Sequence, residues 1–180
     1  PDNNEEVAVK WVEKDARFRY YKKENGGVAS ARNFGIEKAV GGWILPLDGD
    51  DKIGNQYLEL ASKEFGKGYD IIYSHAEYFG ERTGKMPLPA FNEKRLLIEN
   101  QIFCTAFFKK TDFQLIGGFD DTLEGYEAWE FWIHLIIKKK GLKVFQLNII
   151  GLYYRIKSIS RNTEAISNND LNLREQIYHK

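Results

Sequence analysis

Trp43 to Asp51 reads W-I-L-P-L-D-G-D-D, an apolar run that stops abruptly at three carboxylates. Flanked by Gly41-Gly42 on one side and an acidic turn on the other, it reads as a short buried strand, with Asp48, Asp50 and Asp51 emerging at its carboxyl end. In open α/β sheets that edge is where ligands bind. Acidic groups packed this closely repel one another, and a cation among them would relieve the repulsion. Oxygen ligands of this kind suit Mg²⁺ or Mn²⁺, which are held by one or two carboxylates and shared with substrate phosphates. A solvated acidic turn capping the next helix has the same composition, and the motif alone does not separate the two readings.

Immediately upstream, Gly27 to Gly41 reads G-V-A-S-A-R-N-F-G-I-E-K-A-V-G. Ser30 is placed to cap a helix that carries Ala31, Phe34, Ile36 and Ala39 toward a sheet, which puts Arg32 in the first turn. A helix N-terminus beside a guanidinium is an anion site, because free N–H groups and the arginine donors both reach phosphate oxygens. Arg32 can equally form a salt bridge with one of the three aspartates, and both readings stay open. Further back, Asp2 or Asn3 opens a helix bearing Val7, Val9, Trp11 and Val12, and Arg17 to Lys23, R-F-R-Y-Y-K-K, reads as a short strand toward a sheet edge.

Downstream, Gly54 to Phe65 has helical spacing and Asp70 to Ser74 is a second buried strand, so helix and strand alternate as in a layered α/β domain. His75 to Asn92 reads as an exposed loop or edge hairpin, with His75 a loop residue rather than a ligand. A short helix at Lys94 to Glu99, a strand at Ile102 to Lys109 and a helical turn at Thr111 to Ile116 follow. Gly125 onward carries an amphipathic helix whose apolar stripe is Trp129, Trp132, Ile133, Ile136 and Ile137. Glu124, Glu127 and Glu130 crowd its start, where carboxylates are a common structural preference. Glu127 and Glu130 share a face, so one can enter a cleft while the other packs. Tyr126, Trp129 and Trp132 present flat aromatic faces on which a ligand could stack, but their helical spacing favours core packing. Lys143 to Tyr154 reads as two short strands, and residues 158–180 as a polar C-terminal tail with a terminal helix near Leu171 to Tyr178.

The 180 residues, 43% hydrophobic and 14% aromatic, make one domain with a real core. Lys plus Arg equals Asp plus Glu at 26 each, so overall charge argues for no nucleic acid. One cysteine, Cys104, excludes an internal disulfide framework. No run reaches the roughly 18 to 20 apolar residues that span a bilayer.

Together, G-G-V-A-S-A-R-N-F-G-I (Gly26 to Ile36), L-D-G-D-D (Leu47 to Asp51), G-G-F-D-D (Gly117 to Asp121), G-Y-E-A-W-E-F-W (Gly125 to Trp132) and Y-Y-R (Tyr153 to Arg155) follow the order and spacing of a family 2 glycosyltransferase, and the chain resembles that family from Asp2 to about Arg161. The resemblance implies a single α/β domain of GT-A fold, with a mixed central sheet flanked by helices, that moves a sugar from a nucleotide-sugar donor to a glycan or lipid-linked acceptor with inversion. It further implies polysaccharide biosynthesis at the cell envelope, with the chain in the cytoplasm or peripheral at the inner face of the membrane. Carried over residue by residue, Asp50 is the ligand of a divalent Mn²⁺ or Mg²⁺, Asp48 lies on the ribose side, Asp51 supports them, and Arg32 lies near the diphosphate. A carboxylate at the start of the Glu127 helix is implied as general base. The family has an aspartate where this chain has Ala128, so that either Glu127 serves as base, or Glu130 does, or the chain is inactive or altered at that position, with Glu127 preferred. The family also opens with a β-α-β segment holding the nucleobase. The resemblance implies that roughly 30 to 45 residues of it are missing here. A truncation of that kind exposes apolar sheet surface, with self-association as the expected result. A non-catalytic sugar-nucleotide or glycan-binding domain and a metal-dependent nucleotidyltransferase are the competing readings.

Overall fold

A computed structural model describes residues 3–157 and 161–178, the backbone alone over 161–169. It contains a six-stranded mixed sheet of order β1-β5-β3-β6-β2, made from β1 (Trp43–Ile44), β2 (Lys52–Ile53), β3 (Ile71–Gly80), β5 (Phe107–Lys109) and β6 (Val144–Ile156), with β4 (Gly84–Lys85) beside the outer half of β3. The long pair, β3 and β6, is parallel, and every other pairing is antiparallel. Helices α1 (Asn4–Lys14), α2 (Gly27–Lys38), α3 (Tyr57–Ser62), α4 (Glu93–Leu96), α5 (Lys110–Ile116), α6 (Glu127–Lys138) and α7 (Arg161–Tyr178) complete the domain. Among the described residues no helix is long and apolar enough to cross a membrane.

The main core lies between the sheet and α5–α6. Trp129, Phe131, Trp132 and Leu135 are fully or almost fully buried, and Phe108, Phe113, Phe119 and Phe131 pack ring against ring, Phe119 and Phe131 stacked and Phe108 and Phe119 edge-on. Both indole N–H groups of α6 are satisfied: Trp129 donates to the Leu96 carbonyl at 2.6 Å and Trp132 to that of Ile102 at 2.9 Å. The two tryptophans are therefore core residues and not a sugar platform. Ile137, expected in the stripe, is 62% exposed, because the buried face turns through Phe131 and Leu135 instead. Below the sheet, buried Asp70 joins Lys109 and Lys139, each at 2.8 Å, and Lys139 also reaches buried Asp112 at 2.7 Å. Burial works to raise the Asp70 pKa, but the two ammonium groups and the Lys143 N–H hold it at about 2.

Several expected elements differ. Arg17 to Lys23 forms no strand, because β-favouring residues need a ladder partner and none lies beside them among the described residues. The strand expected from Ile102 shortens to Phe107–Lys109, since side chains capture its backbone carbonyls: Trp132 takes that of Ile102 and Tyr57 that of Thr105, at 3.0 Å. His75, expected in a loop, lies within β3 with its ring 3.3 Å from the Gln146 amide, and of the two readings of the stretch that follows the edge hairpin is the one seen, as β3–β4. The two strands expected after Lys143 are one, β6, with register shifts opposite Ser74 to Ala76. At that irregularity Gly151 is required, because a Cβ there would lie 2.3 Å from Ser74 Oγ. The C-terminal helix is longer than expected, and Leu173 and Ile177 are buried, so this part of the polar tail packs on the domain. Asp2, one of the two expected helix caps, lies outside the described residues. The other, Asn3, precedes α1 without a side-chain cap bond.

Candidate functional site

Only Trp43 and Ile44 of the apolar run pair with the sheet, and the chain then runs on without a ladder partner into the acidic turn. The turn is closed by the Asp51 N–H donating to the Asp48 carbonyl at 3.1 Å. Antiparallel pairing of β2 with β6, Lys52 opposite Tyr153, then brings the end of β6 over the turn. Arg155 N donates to Asp51 Oδ1 at 2.9 Å and Arg155 Nε to the Asp50 carbonyl at 2.8 Å. Lys157 Nζ lies 2.7 Å from Asp50 Oδ2. From the other side, Arg32 Nη2 reaches both oxygens of Asp48, at 2.8 and 2.9 Å. The salt-bridge reading of Arg32 is thus the arrangement seen: Asp48 and Asp50 each pair with a basic side chain, while Asp51 accepts from the Arg155 backbone N–H.

Arg32 is not at a helix N-terminus. The Asn25 side chain accepts the Gly27 N–H at 3.1 Å and α2 starts there, so Ser30 is inside the helix and the cap position is Gly26. What aims Arg32 is its neighbour. Asn33 holds the Phe119 backbone with two bonds of 2.8 Å, donating to its carbonyl and accepting from its N–H. This clamp ties α2 to the Gly117–Gly118 turn, where Gly118 has φ +93° and a Cβ would sit 2.9 Å from Asn33 Oδ1. Sequence reasoning missed Asn33, although it lies in one of the motifs. It also missed Lys157, which period-two alternation along Tyr153, Arg155 and Lys157 places on the face of Arg155.

These partners divide the electrostatics. Asp50 is held below the ordinary carboxylate range, chiefly by the Lys157 hydrogen bond. Asp51 is pushed up to about 6, first by burial and then by its two acidic neighbours, against the Arg155 N–H bond. Burial opposes the Arg32 charge, but the Asp48 carboxylate bonded to it and Glu127 nearby raise its pKa. Burial pushes the Cys104 thiol up to about 12, so it remains a neutral thiol.

The acidic turn, Arg32, Arg155, Lys157 and Glu127 all line one cavity of about 830 Å³, floored by Ile44, Leu45 and the α2 residues Val28 and Ile36. All the expected site residues but one meet there. Glu127, at the first position of α6 and 6% exposed, faces it, whereas Glu130, one turn on, does not line it. Glu130 is buried, its Oε2 has no hydrogen-bond partner, and burial raises its pKa, while Oε1 lies 3.6 Å from His134 Nδ1. The two share a helix face but not an environment, because Glu127 stands at the end of α6 that opens on the cavity and Glu130 lies one turn further in, among the buried residues of that helix. As for a metal, no group of three or more His, Cys, Asp or Glu side chains among the described residues is arranged to hold one. The donor set fits the other mode: Asp50, half-exposed at the cavity mouth, can supply one carboxylate to a cation whose remaining ligands are phosphate oxygens and water.

The family model for glycosyl transferase family 2 matches residues 1–128. The chain belongs to that family. It is 31% identical over 152 residues to the minor teichoic acid biosynthesis protein GgaB of Bacillus subtilis, covering 78% of this chain and 17% of that one. It is 44% identical over 70 residues to an uncharacterized glycosyltransferase of Rickettsia bellii, covering 39% of this chain and 10% of the relative. Among solved structures, S. aureus TarS 1-349 in complex with UDP-GlcNAc superposes with a TM-score of 0.72 at 17% identity, covering 89% of this chain and 48% of that one. The fold is therefore that of the GT-A glycosyltransferases, as expected. The chain spans less than half the length of each of these proteins.

Proposed function

We propose that this glycosyltransferase chain transfers a sugar from a nucleotide-sugar donor to a hydroxyl of a glycan or lipid-linked acceptor, with inversion, in the assembly of a cell-envelope polysaccharide. One observation carries the reading: a cavity of about 830 Å³ in which three aspartates, three basic side chains and one separate carboxylate, Glu127, converge. The teichoic acid name of the GgaB relative and the sugar nucleotide bound by TarS support the donor and acceptor classes.

In this scheme the donor diphosphate lies against Arg32 and the turn, with Asp48 on the ribose side and Asp51 supporting the turn. Asp50 is the residue that would hold Mn²⁺ or Mg²⁺, which when bound would supply electrostatic stabilisation of the charge on the leaving diphosphate. Glu127 accepts the acceptor hydroxyl proton as that oxygen bonds to the anomeric carbon. The bond from that carbon to the diphosphate oxygen breaks, its electron pair stays on the phosphate, and Arg32 stabilises the charge. Ala128 stands where the family has an aspartate, so the base role falls on Glu127. In this scheme Glu130, buried and not lining the cavity, takes no part in the proton transfer. Ala128 equally favours a second reading, a non-catalytic sugar-nucleotide-binding domain.

Calorimetry with a panel of nucleoside diphosphates and nucleotide sugars in Mn²⁺, followed by transfer assays, separates these. Asp50→Ala is expected to abolish metal-dependent binding. Glu127→Gln is expected to keep binding and lower turnover by about 10²- to 10⁴-fold. Binding without turnover would leave the non-catalytic domain, and an equally inactive Glu130→Gln that binds donor normally would move the base.

A further inference from the structure

The three carboxylate pairs at the turn differ in how easily their partners leave. Arg32 holds Asp48 through both oxygens, its own side chain only 12% exposed, and Asp51 is held by a backbone N–H. Both are fixed. The Lys157–Asp50 pair is a single contact of 2.7 Å with the two side chains 48% and 47% exposed. An exposed pair of this kind contributes little to stability and exchanges readily. Lysine is also the cation suited to exchange, a compact charge on a flexible stem with no fixed fork to satisfy.

We propose that Lys157 is an exchangeable internal counter-ion of Asp50, displaced by the divalent cation and taken up by the donor diphosphate, so that cation and nucleoside diphosphate bind with positive coupling carried by Lys157. The inference rests on the nucleotide-sugar reading of this cavity. Its physics is charge bookkeeping. With no anion present, a divalent cation at Asp50 meets an ammonium already at 2.7 Å from the carboxylate, with the Arg155 guanidinium bonded to the neighbouring carbonyl. The cation must displace one and tolerate the other, so it binds weakly alone. A diphosphate in the cavity gives the displaced ammonium a new partner and supplies the cation with oxygen ligands. Each ligand then strengthens the other by the same factor, as linkage requires. The site thus discriminates against free metal and admits the metal–diphosphate pair.

The test measures binding, not turnover. Mn²⁺ affinity is read from the free-ion paramagnetic resonance signal, without and with saturating diphosphate, using whichever of UDP, GDP, CDP or dTDP the wild-type chain binds. Lys157→Met is expected to bind Mn²⁺ alone on the order of tenfold more tightly and to lose most of the coupling. Lys157→Arg, which keeps the charge, is expected to stay near wild type. Unchanged Mn²⁺ affinity and unchanged coupling in Lys157→Met would overturn the exchange and leave the nucleotide-sugar reading standing. Failure of every diphosphate to bind the wild type, with or without Mn²⁺, would overturn that reading and the inference with it.

Discussion

Asp51→Asn turns the electrostatics of the acidic turn into a stability measurement. Asp51 is pushed up to about 6 from an ordinary 3.8, with burial the first cause and Asp48 and Asp50 adding to it. The folded chain therefore holds this proton more tightly than the unfolded chain. Its favourable contribution is complete below about pH 4 and is lost as pH rises through about 6. Above that, folding keeps an ionised carboxylate half-buried beside two others. The gap between the two values corresponds to about 3 kcal/mol, which solvent at the cavity mouth reduces to about 1–2 kcal/mol. Asparagine removes the charge and keeps the Oδ1 acceptor that the Arg155 N–H uses at 2.9 Å. Urea unfolding from pH 4 to pH 8 should show Asp51→Asn more stable than wild type by about 1–2 kcal/mol at pH 8, the difference shrinking toward zero at pH 4. A variant less stable at pH 8, or a difference independent of pH, would refute the reasoning, because the Asp51 charge would then be compensated in the fold.

Gly151→Ala places a methyl group 2.3 Å from Ser74 Oγ and 2.8 Å from Tyr57 Cδ2 in the bulged β3–β6 pair, and is expected to cost about 1–3 kcal/mol, read as a fall in Tm. An unchanged Tm would mean that the bulge relaxes freely. Beyond β1, no strand pairs with its outer edge among the described residues, and Val7, Trp11 and Phe18, which precede β1 in the chain, and Leu47, which follows it, are exposed. We propose that this chain self-associates through the open sheet edge. Sedimentation velocity should show concentration-dependent association that Leu47→Lys weakens, and a monomer at all concentrations would sink the proposal.

The alternation of helices and strands, the acidic turn after an apolar strand and the buried tryptophans of α6 were all legible in the residues. Each is written in a local period, 3.6 or 2, or in an abrupt change from apolar to charged. Where a residue's fate depends on a partner far along the chain, the pattern was silent or misleading. Arg17 to Lys23 has strand composition and no strand, since a ladder needs a neighbour. Ile102 to Ala106 has strand composition too, yet two of its carbonyls went to side chains of Tyr57 and Trp132.

The site divides in the same way. Its chemistry, carboxylates with a nearby arginine and a glutamate at a helix start, belongs to the sequence, which names the groups and their spacing. Which carboxylate is paired with which cation belongs to the fold. Asp50 and Lys157 are far apart along the chain and meet because β2 pairs antiparallel with β6, and Arg32 finds Asp48 because Asn33 clamps α2 to the Phe119 backbone. Glu127 and Glu130 are alike in sequence and both buried, and only the packing of α6 opens the first to the cavity and closes the second off from it. Charges act through distance and dielectric, and both are set by tertiary packing rather than by order along the chain.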